Sequence, residues 1–447
     1  MPDDDHVQPG LNGWLPFSAP GEPLVLHHGQ LRLTSSTLPP LEAPGQVTIS
    51  WNQGAQLRWI ADLPGDGDAE HDWRVWSDPH QRQLHVDVHG RSGHGQTHST
   101  SPGHGWLNGL EVGERDAALI RLIAHWVNLP RIWPTEAVRT IDADGMPKFA
   151  ARWQMQAEGW ELRIDSRPDL DEVLRACKQD RSFAVTHVME VRRLDRSTFT
   201  GQEVNELLEA LQFAVSFALS RWSCPAAPVG YTEADDLAWS VWRPLFCDQP
   251  GRGTGGWWFE QRGEDLAQTV AGFLQHWQND KLREPLKFAA TSAIVAGESG
   301  FVEQRLVTAT SALEHLCWVT DVLEGDFSAT SFAKGRDAGD RLRALLTGIN
   351  VCCELREDRT PTLLSFAQEH ELRDGPAAVM RVRNRLVHPK DTRSIYDYKG
   401  LVAEASRLAT RYLDLVVLHR IGFTGEVADR TRIRGWHGET EPVPWIT

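Results

Sequence analysis

The chain has 447 residues, 41% of them hydrophobic and 24% charged, with a formal net charge of −15. That balance excludes global disorder, and the length suffices for two or three domains with cores of their own. No run approaches the roughly 20 apolar residues of a membrane span, and Met1-Pro2-Asp3-Asp4-Asp5-His6 carries neither a basic nor an apolar leader, so a cytoplasmic protein with no membrane partner is expected.

From about residue 11 to 165 the sequence is broken by Pro and Gly and holds short runs such as Leu24-Val25-Leu26, Val47 to Trp51 and Leu84 to His89, which read as strands. Phe149 to Gln154 and Trp160 to Ile164 read as a hairpin, with Gly159 free to take a positive φ. Arg115 to Val127 has helical spacing and stops before Asn128-Leu129-Pro130, so a helix is expected there. A β-sandwich or partly open barrel with added helices is the expected architecture for residues 1–165.

Residues 166–280 read as a mixed α/β extension of that region. Ala184 to Arg193 is strand-like, and Thr200-Gly201-Gln202-Glu203 has the form of a capping box, so a helix is expected over 201–222. Val204, Leu207, Leu208, Leu211, Ala214 and Ala218 would form its buried stripe.

Beyond residue 280 the periodicity becomes helical, with segments expected near 283–297, 302–323, 337–349, 376–388 and 400–420. Val302, Leu306, Ala309, Leu313 and Leu316 alternate steps of four and three, as do Leu401, Ala405, Leu408, Tyr412 and Leu415, which is the seam of packed helices. The fold class is therefore α+β and multidomain: a β-rich N-terminal region, then an all-α bundle over 281–423. Residues 424–447 form either a docked extension or a frayed tail.

Charge follows the same division. Residues 281–447 carry 23 basic and 23 acidic side chains, whereas the first 280 hold 23 basic and 38 acidic, so the acidity belongs to the N-terminal part. Between 380 and 400 the balance is basic, with Arg381, Arg383, Arg385, Lys390, Arg393 and Lys399 against Asp391 and Asp397, which suits a phosphate backbone. The six cysteines form no Cys-x-x-Cys pair and are expected to be reduced thiols.

The most informative stretch lies in that basic segment, Met380-Arg381-Val382-Arg383-Asn384-Arg385-Leu386-Val387-His388-Pro389. Arginine clamps phosphate oxygens with a permanently charged fork, and histidine gives or takes a proton near neutrality. Asn384 and His388 share a helix face, while Arg383 lies about 100° round from Asn384. Pro389 disfavours the helical region for His388, so the helix should end there and let the imidazole turn.

Arg383-Asn384-x3-His388 resembles the Arg-polar-x3-His form of the signature of HEPN domains, and the chain is similar to ApeA-like HEPN proteins. The likeness covers roughly residues 281–423, including Ser311-Ala312-Leu313-Glu314-His315-Leu316, which looks like the family's earlier helix with its acidic residue. It implies a metal-independent endoribonuclease acting in anti-phage abortive infection, with Arg383, Asn384 and His388 catalytic and Glu314 pairing with an arginine of the motif. Arg381 fits a looser version of the signature, and Arg381, Arg385 and Lys390 are expected to hold RNA. The likeness further implies RNA as substrate, tRNA among the candidates, and a homodimer or higher assembly through the helical region. The N-terminal region would sense an unidentified trigger. The alternative is a non-catalytic HEPN-type dimerisation or RNA-binding module with an aromatic-rich recognition domain.

Other features carry less. His85, Asp87 and His89 would share a strand face, but Gly90 to His98 reads as an irregular loop, so no metal site and no cofactor are expected. Of 19 tryptophans, 16 precede residue 281. Trp257 and Trp258, beside Gly251, Gly253, Gly255 and Gly256, are the candidate for an exposed ligand-recognition site, because glycines signal loop. The same glycines lack the Gly-Lys-Ser/Thr ending of a phosphate-binding loop.

Overall fold

The computed structural model describes residues 7–35, 40–51, 54–62, 82–101, 103–133, 135–141, 146–251, 255–298, 300–389, 395–432 and 439–446. The chain forms two compact units, one of Met1–Glu209 with Ser223–Gly251, the other of Ala210–Trp222 with Arg252–Thr447. The first is β-rich and the second helical, an α+β arrangement.

The β-rich unit contains β1 (Leu24–Thr34), β2 (Leu41–Ser50), β3 (Gln56–Ala61), β4 (Arg82–Val88), β5 (Arg91–Ser101), β6 (His104–Leu107) and β7 (Leu110–Gly113). These are followed by β8 (Arg121–Val127), β9 (Glu136–Ile141), β10 (Pro147–Ala157), β11 (Trp160–Ser166) and α1 (Leu170–Asp180). Then come β12 (Val185–Arg193), the first half of α2 (Gly201–Leu219), β13 (Pro225–Tyr231) and β14 (Leu237–Trp242). All fourteen strands hydrogen-bond in the order β4-β1-β2-β3-β6-β5-β7-β14-β13-β8-β12-β11-β10-β9. Because β4 also pairs with β5, the first six of that order close on themselves as a barrel-like ring.

Alternation drives this ring. In β3, Leu57 and Trp59 are buried while Arg58 and Ile60 alternate with them, and in β4 Leu84 and Val86 do the same. The inward side chains of β1 to β4 and Leu107 of β6 share one apolar core with Leu110, Val112 and Trp242. The hairpin of β10 and β11 turns at Glu158 and Gly159, which have φ values of 48° and 79°. At α2 the capping box is present: Thr200 Oγ1 accepts from Glu203 N at 3.3 Å, and Glu203 Oε2 accepts from Thr200 N at 2.9 Å.

Two sequence readings are corrected. Arg115 to Val127 is not a helix: its second half is β8, between β13 and β12, and both faces are covered, so its apolar run lacks alternation and imitates a helix. Gly90 to His98 is not an irregular loop, since most of it is β5, paired with β4 from Arg82↔Thr97 to Val88↔Arg91. Within residues 166–280, β12, β13 and β14 lie inside the same sheet as the strands before residue 166.

The helical unit takes the second half of α2, then α3 (Gly263–Trp277), α4 (Asp280–Gly297), α5 (Val302–Trp318), α6 (Ala329–Lys334), α7 (Ala338–Gly348), α8 (Pro361–Glu369), α9 (Gly375–Val387) and α10 (Leu401–Arg420). A π-helical turn, Val319–Leu323, extends α5. The seam residues Leu306, Ala309, Leu313 and Leu316 of α5, and Leu401, Ala405, Tyr412 and Leu415 of α10, are all buried, and these two helices pack on each other. The C-terminal residues are docked: β15 (Glu426–Ala428) pairs with β16 (Thr440–Pro442), Val427 and Val443 are buried, and Arg430 binds the buried Asp414 carboxylate. No helix among the described residues is long and apolar enough to cross a membrane.

Two histidines inside the β-rich unit tie its stability to pH. Burial pushes His125 on β8 down to about 4, and its Nε2 accepts from Leu15 N at 3.4 Å. Burial, then the charge of Arg131, pushes His187 on β12 down to about 3. In the unfolded chain both titrate near 6.5, so the unfolded state binds more protons once pH falls below that value. The stabilisation is complete above pH 6.5 and is lost as pH falls toward 4 for His125 and toward 3 for His187. Urea unfolding at pH 5 should therefore show roughly 2 kcal/mol less stability per histidine than at pH 7. The variant His187→Gln should abolish about half of that difference.

Candidate functional site

Helix α9 is defined at both ends by its own sequence. At its start Asp374 accepts from Ala377 N at 3.1 Å, and Pro376 occupies the first turn, where no intrahelical partner is needed for its missing N–H. At its end His388 donates its backbone N–H to Asn384 O at 2.8 Å and then leaves the helical region, with φ −132° and ψ 72°. Pro389 enforces that departure. His388 and Asn384 are exposed, whereas Val379, Met380 and Val382 face the core.

The outer face of α9 forms one wall of a cleft of about 740 Å³. Arg381, Arg383, Asn384, Arg385 and His388 line that wall, and the buried Met380 also borders the cleft. Opposite stand Asp337, Ala338 and Gly339 at the start of α7. The structure thus brings to one cleft five of the residues singled out by sequence, three of them guanidinium groups and one an imidazole.

Arg383 is held by two neighbours. Its Nη2 lies 3.4 Å from Glu314 Oε2 on α5, and its Nη1 donates to Asn384 Oδ1 at 3.0 Å. The pair is half-exposed, so its worth lies in aiming the guanidinium more than in stability. Arg385 lies over the ring of Phe366, 5.2 Å from its centroid. Arg381 is exposed, and among the described residues no carboxylate pairs with it. Lys390 lies outside the described residues.

Four residues that sequence reasoning passed over fix the starts of α7 and α9 and tie the two helices together. Arg343 on α7 grips both Asp374 carboxylate oxygens, with Nη2 3.1 Å from Oδ1 and Nε bonded to Oδ2, and it also binds Asp340. The Asp374 carboxylate, and after it Asp340, holds the guanidinium above its ordinary pKa. Asp337 caps α7, accepting from Asp340 N at 2.9 Å. The available signal was the pair of Asp residues at the expected helix starts, Asp337 and Asp374.

Trp257 and Trp258 are not an exposed recognition site; this reading is corrected. Trp257 is fully buried, 5.7 Å from Phe217 and 5.2 Å from Phe423 between ring centroids, and Trp258 Nε1 donates to Arg262 O at 2.7 Å. Their flanking Gly256 is required by packing: a Cβ there would sit 1.9 Å from Ala218 O. Among the described residues no group of three or more His, Cys, Asp or Glu side chains is arranged to hold a metal ion.

Residues 114–252 match the YopA central domain family and residues 279–442 the YopA C-terminal domain family. The chain is 25% identical over 314 residues to the SPbeta prophage-derived uncharacterized protein YopA of Bacillus subtilis (strain 168), an alignment covering 68% of this chain and 68% of that protein. No solved structure matches the chain.

The clasp on Asp374 makes a graded expectation. Asp374→Ala should destabilise the helical unit by about 2 kcal/mol or more, through loss of the cap and an unpaired Arg343. Asp374→Asn keeps the capping oxygen and should lose less. Thermal denaturation of the two variants beside the wild type measures the order, and equal losses would show that the cap contributes nothing.

Proposed function

We propose that this protein is a metal-independent endoribonuclease of HEPN type, with the helical unit as the nuclease and the β-rich unit as its sensor or regulator. The observation that carries the reading is the convergence of Arg381, Arg383, Asn384, Arg385 and His388 on one cleft. The likeness of Arg383-Asn384-x3-His388 to the HEPN signature supports it. RNA is the substrate, tRNA among the candidates, and the setting is the cytoplasm.

His388 takes the proton from a ribose 2′-hydroxyl as its oxygen attacks the adjacent phosphorus. The bond from O2′ to phosphorus forms and the bond from phosphorus to O5′ breaks, leaving a 2′,3′-cyclic phosphate and a 5′-hydroxyl. The Arg383 fork, aimed by Glu314 and Asn384, stabilises charge on the non-bridging oxygens, while Arg381 and Arg385 hold the flanking phosphates. O5′ needs a proton as it leaves, and the cleft of one chain holds one imidazole. A second copy of the chain, docked through the helical unit, supplies the other.

The HEPN likeness carries anti-phage abortive infection as the setting of this activity. A second reading, a non-catalytic dimerisation or RNA-binding module of the same type, draws on the ion pair that engages Arg383 in the free chain.

The deciding assay is cleavage of labelled cellular RNA in EDTA. Wild-type protein should cut, leaving 2′,3′-cyclic phosphate ends, and His388→Ala should lose on the order of 10²-fold or more in rate. RNA bound without being cut by either protein would favour the non-catalytic module. Equal cutting by both would remove His388 from the chemistry.

A further inference from the structure

The barrel-like ring carries on its outer wall a patch that the nuclease reading leaves unused. Trp106 on β6 lies directly opposite His98 of β5 on one side and Arg58 of β3 on the other. The row continues to Thr48 on β2 and Val25 on β1. In antiparallel pairing, directly opposed residues share a face, so these side chains lie on one face of the wall, with Trp106, Arg58 and Val25 at least partly exposed and Thr48 buried between them. Trp106 is 37% exposed and Val25 46%, in a unit whose other large apolar side chains go mostly inward.

The next row begins at His104, opposite Ile60, which is 46% exposed and faces Gln46 and then His28. Neither row contains an Asp or Glu, although the first 280 residues hold 38 acidic side chains against 23 basic. No carboxylate among the described residues pairs with Arg58. Asn108 Nδ2 meets His98 Nε2 at 3.1 Å, which orients that imidazole beside the indole.

From this juxtaposition we infer that the wall of β5, β6, β3 and β2 binds single-stranded nucleic acid. A base stacks on Trp106, and Arg58 holds the neighbouring phosphate. An aromatic face beside a cation on a strand surface is the chemistry by which sheets and barrels take unpaired strands without reading sequence. A sugar platform would favour carboxylate acceptors around the indole, and the two rows hold none. A duplex offers no unstacked base to the ring. This inference does not rest on the nuclease reading, though RNA bound here would be delivered to the same protein.

The test is fluorescence anisotropy of labelled 12-nucleotide RNA and DNA single strands with the full chain in EDTA, in a His388→Ala background so that nothing is cut. Trp106→Ala and Arg58→Gln should each weaken binding about tenfold, the size of one lost stacking or phosphate contact. Trp106→Phe should retain most of the affinity, and Arg58→Gln should flatten the dependence on salt. RNA and DNA binding alike identifies stacking as the recognition, and RNA alone adds contacts to the 2′-hydroxyl; both support the site. Unchanged affinity in Trp106→Ala and Arg58→Gln, equal competition by duplex, or no binding by the wild-type wall overturns it. Cleavage measured in parallel keeps the two proposals apart, since loss of cutting in His388→Ala together with unaffected RNA binding in Trp106→Ala would leave the nuclease standing and remove this site.

Discussion

Asp374 is the constraint on which the candidate site turns. One carboxylate both caps α9 and receives the fork of Arg343 from α7, so the two walls of the cleft are fastened where α9 begins. At the far end Pro389 prevents the helix from continuing, and His388 is left exposed with its side chain in the cleft. Between these limits the helix has little freedom to rotate, because Val379, Met380 and Val382 are committed to the core. The arginines must then face the cleft. Their presentation follows from caps and packing, with no strained backbone required.

Much of this was legible in the sequence where a signal was local. The pre-proline histidine, the capping box at Thr200 and the alternating steps of α5 and α10 each depend on residues a few positions apart, and each reads directly. What was illegible depends on distant partners. Arg343 and Asp374 are far apart in sequence, and no spacing announces their pairing. The opposite wall of the cleft, Asp337 to Gly339, was visible only as a helix start. Glu314 beside Arg383 was expected only through the family likeness, and its geometry rests on the packing of α5 near α9.

The misreadings share a cause, which is that one residue type serves opposite ends. Glycine beside Trp257 suggested an exposed loop, yet Gly256 is there because Ala218 O leaves no room for a side chain. In β5, Gly95 would place a Cβ 2.2 Å from Gly109 O, so a stretch rich in Gly and His is a strand with its small residues turned to crowded neighbours. The apolar run of β8 misled in the other direction, since a strand covered on both faces loses the period of two that identifies strands. Composition reports that a position is tight or buried without saying against what.

The path of the chain carries a consequence for dissecting it. Helix α2 starts in the β-rich unit and ends in the helical one, and the chain then returns to lay down β13 and β14 between β8 and β7. A fragment ending at Glu209 would keep twelve of the fourteen strands and still lack the two that join its halves. Bare edges on β7 and β8 would remain, and unpaired strand edges seek other chains. Neither unit is therefore a contiguous piece of sequence, and a fragment cut between them would be more prone to aggregate than to work.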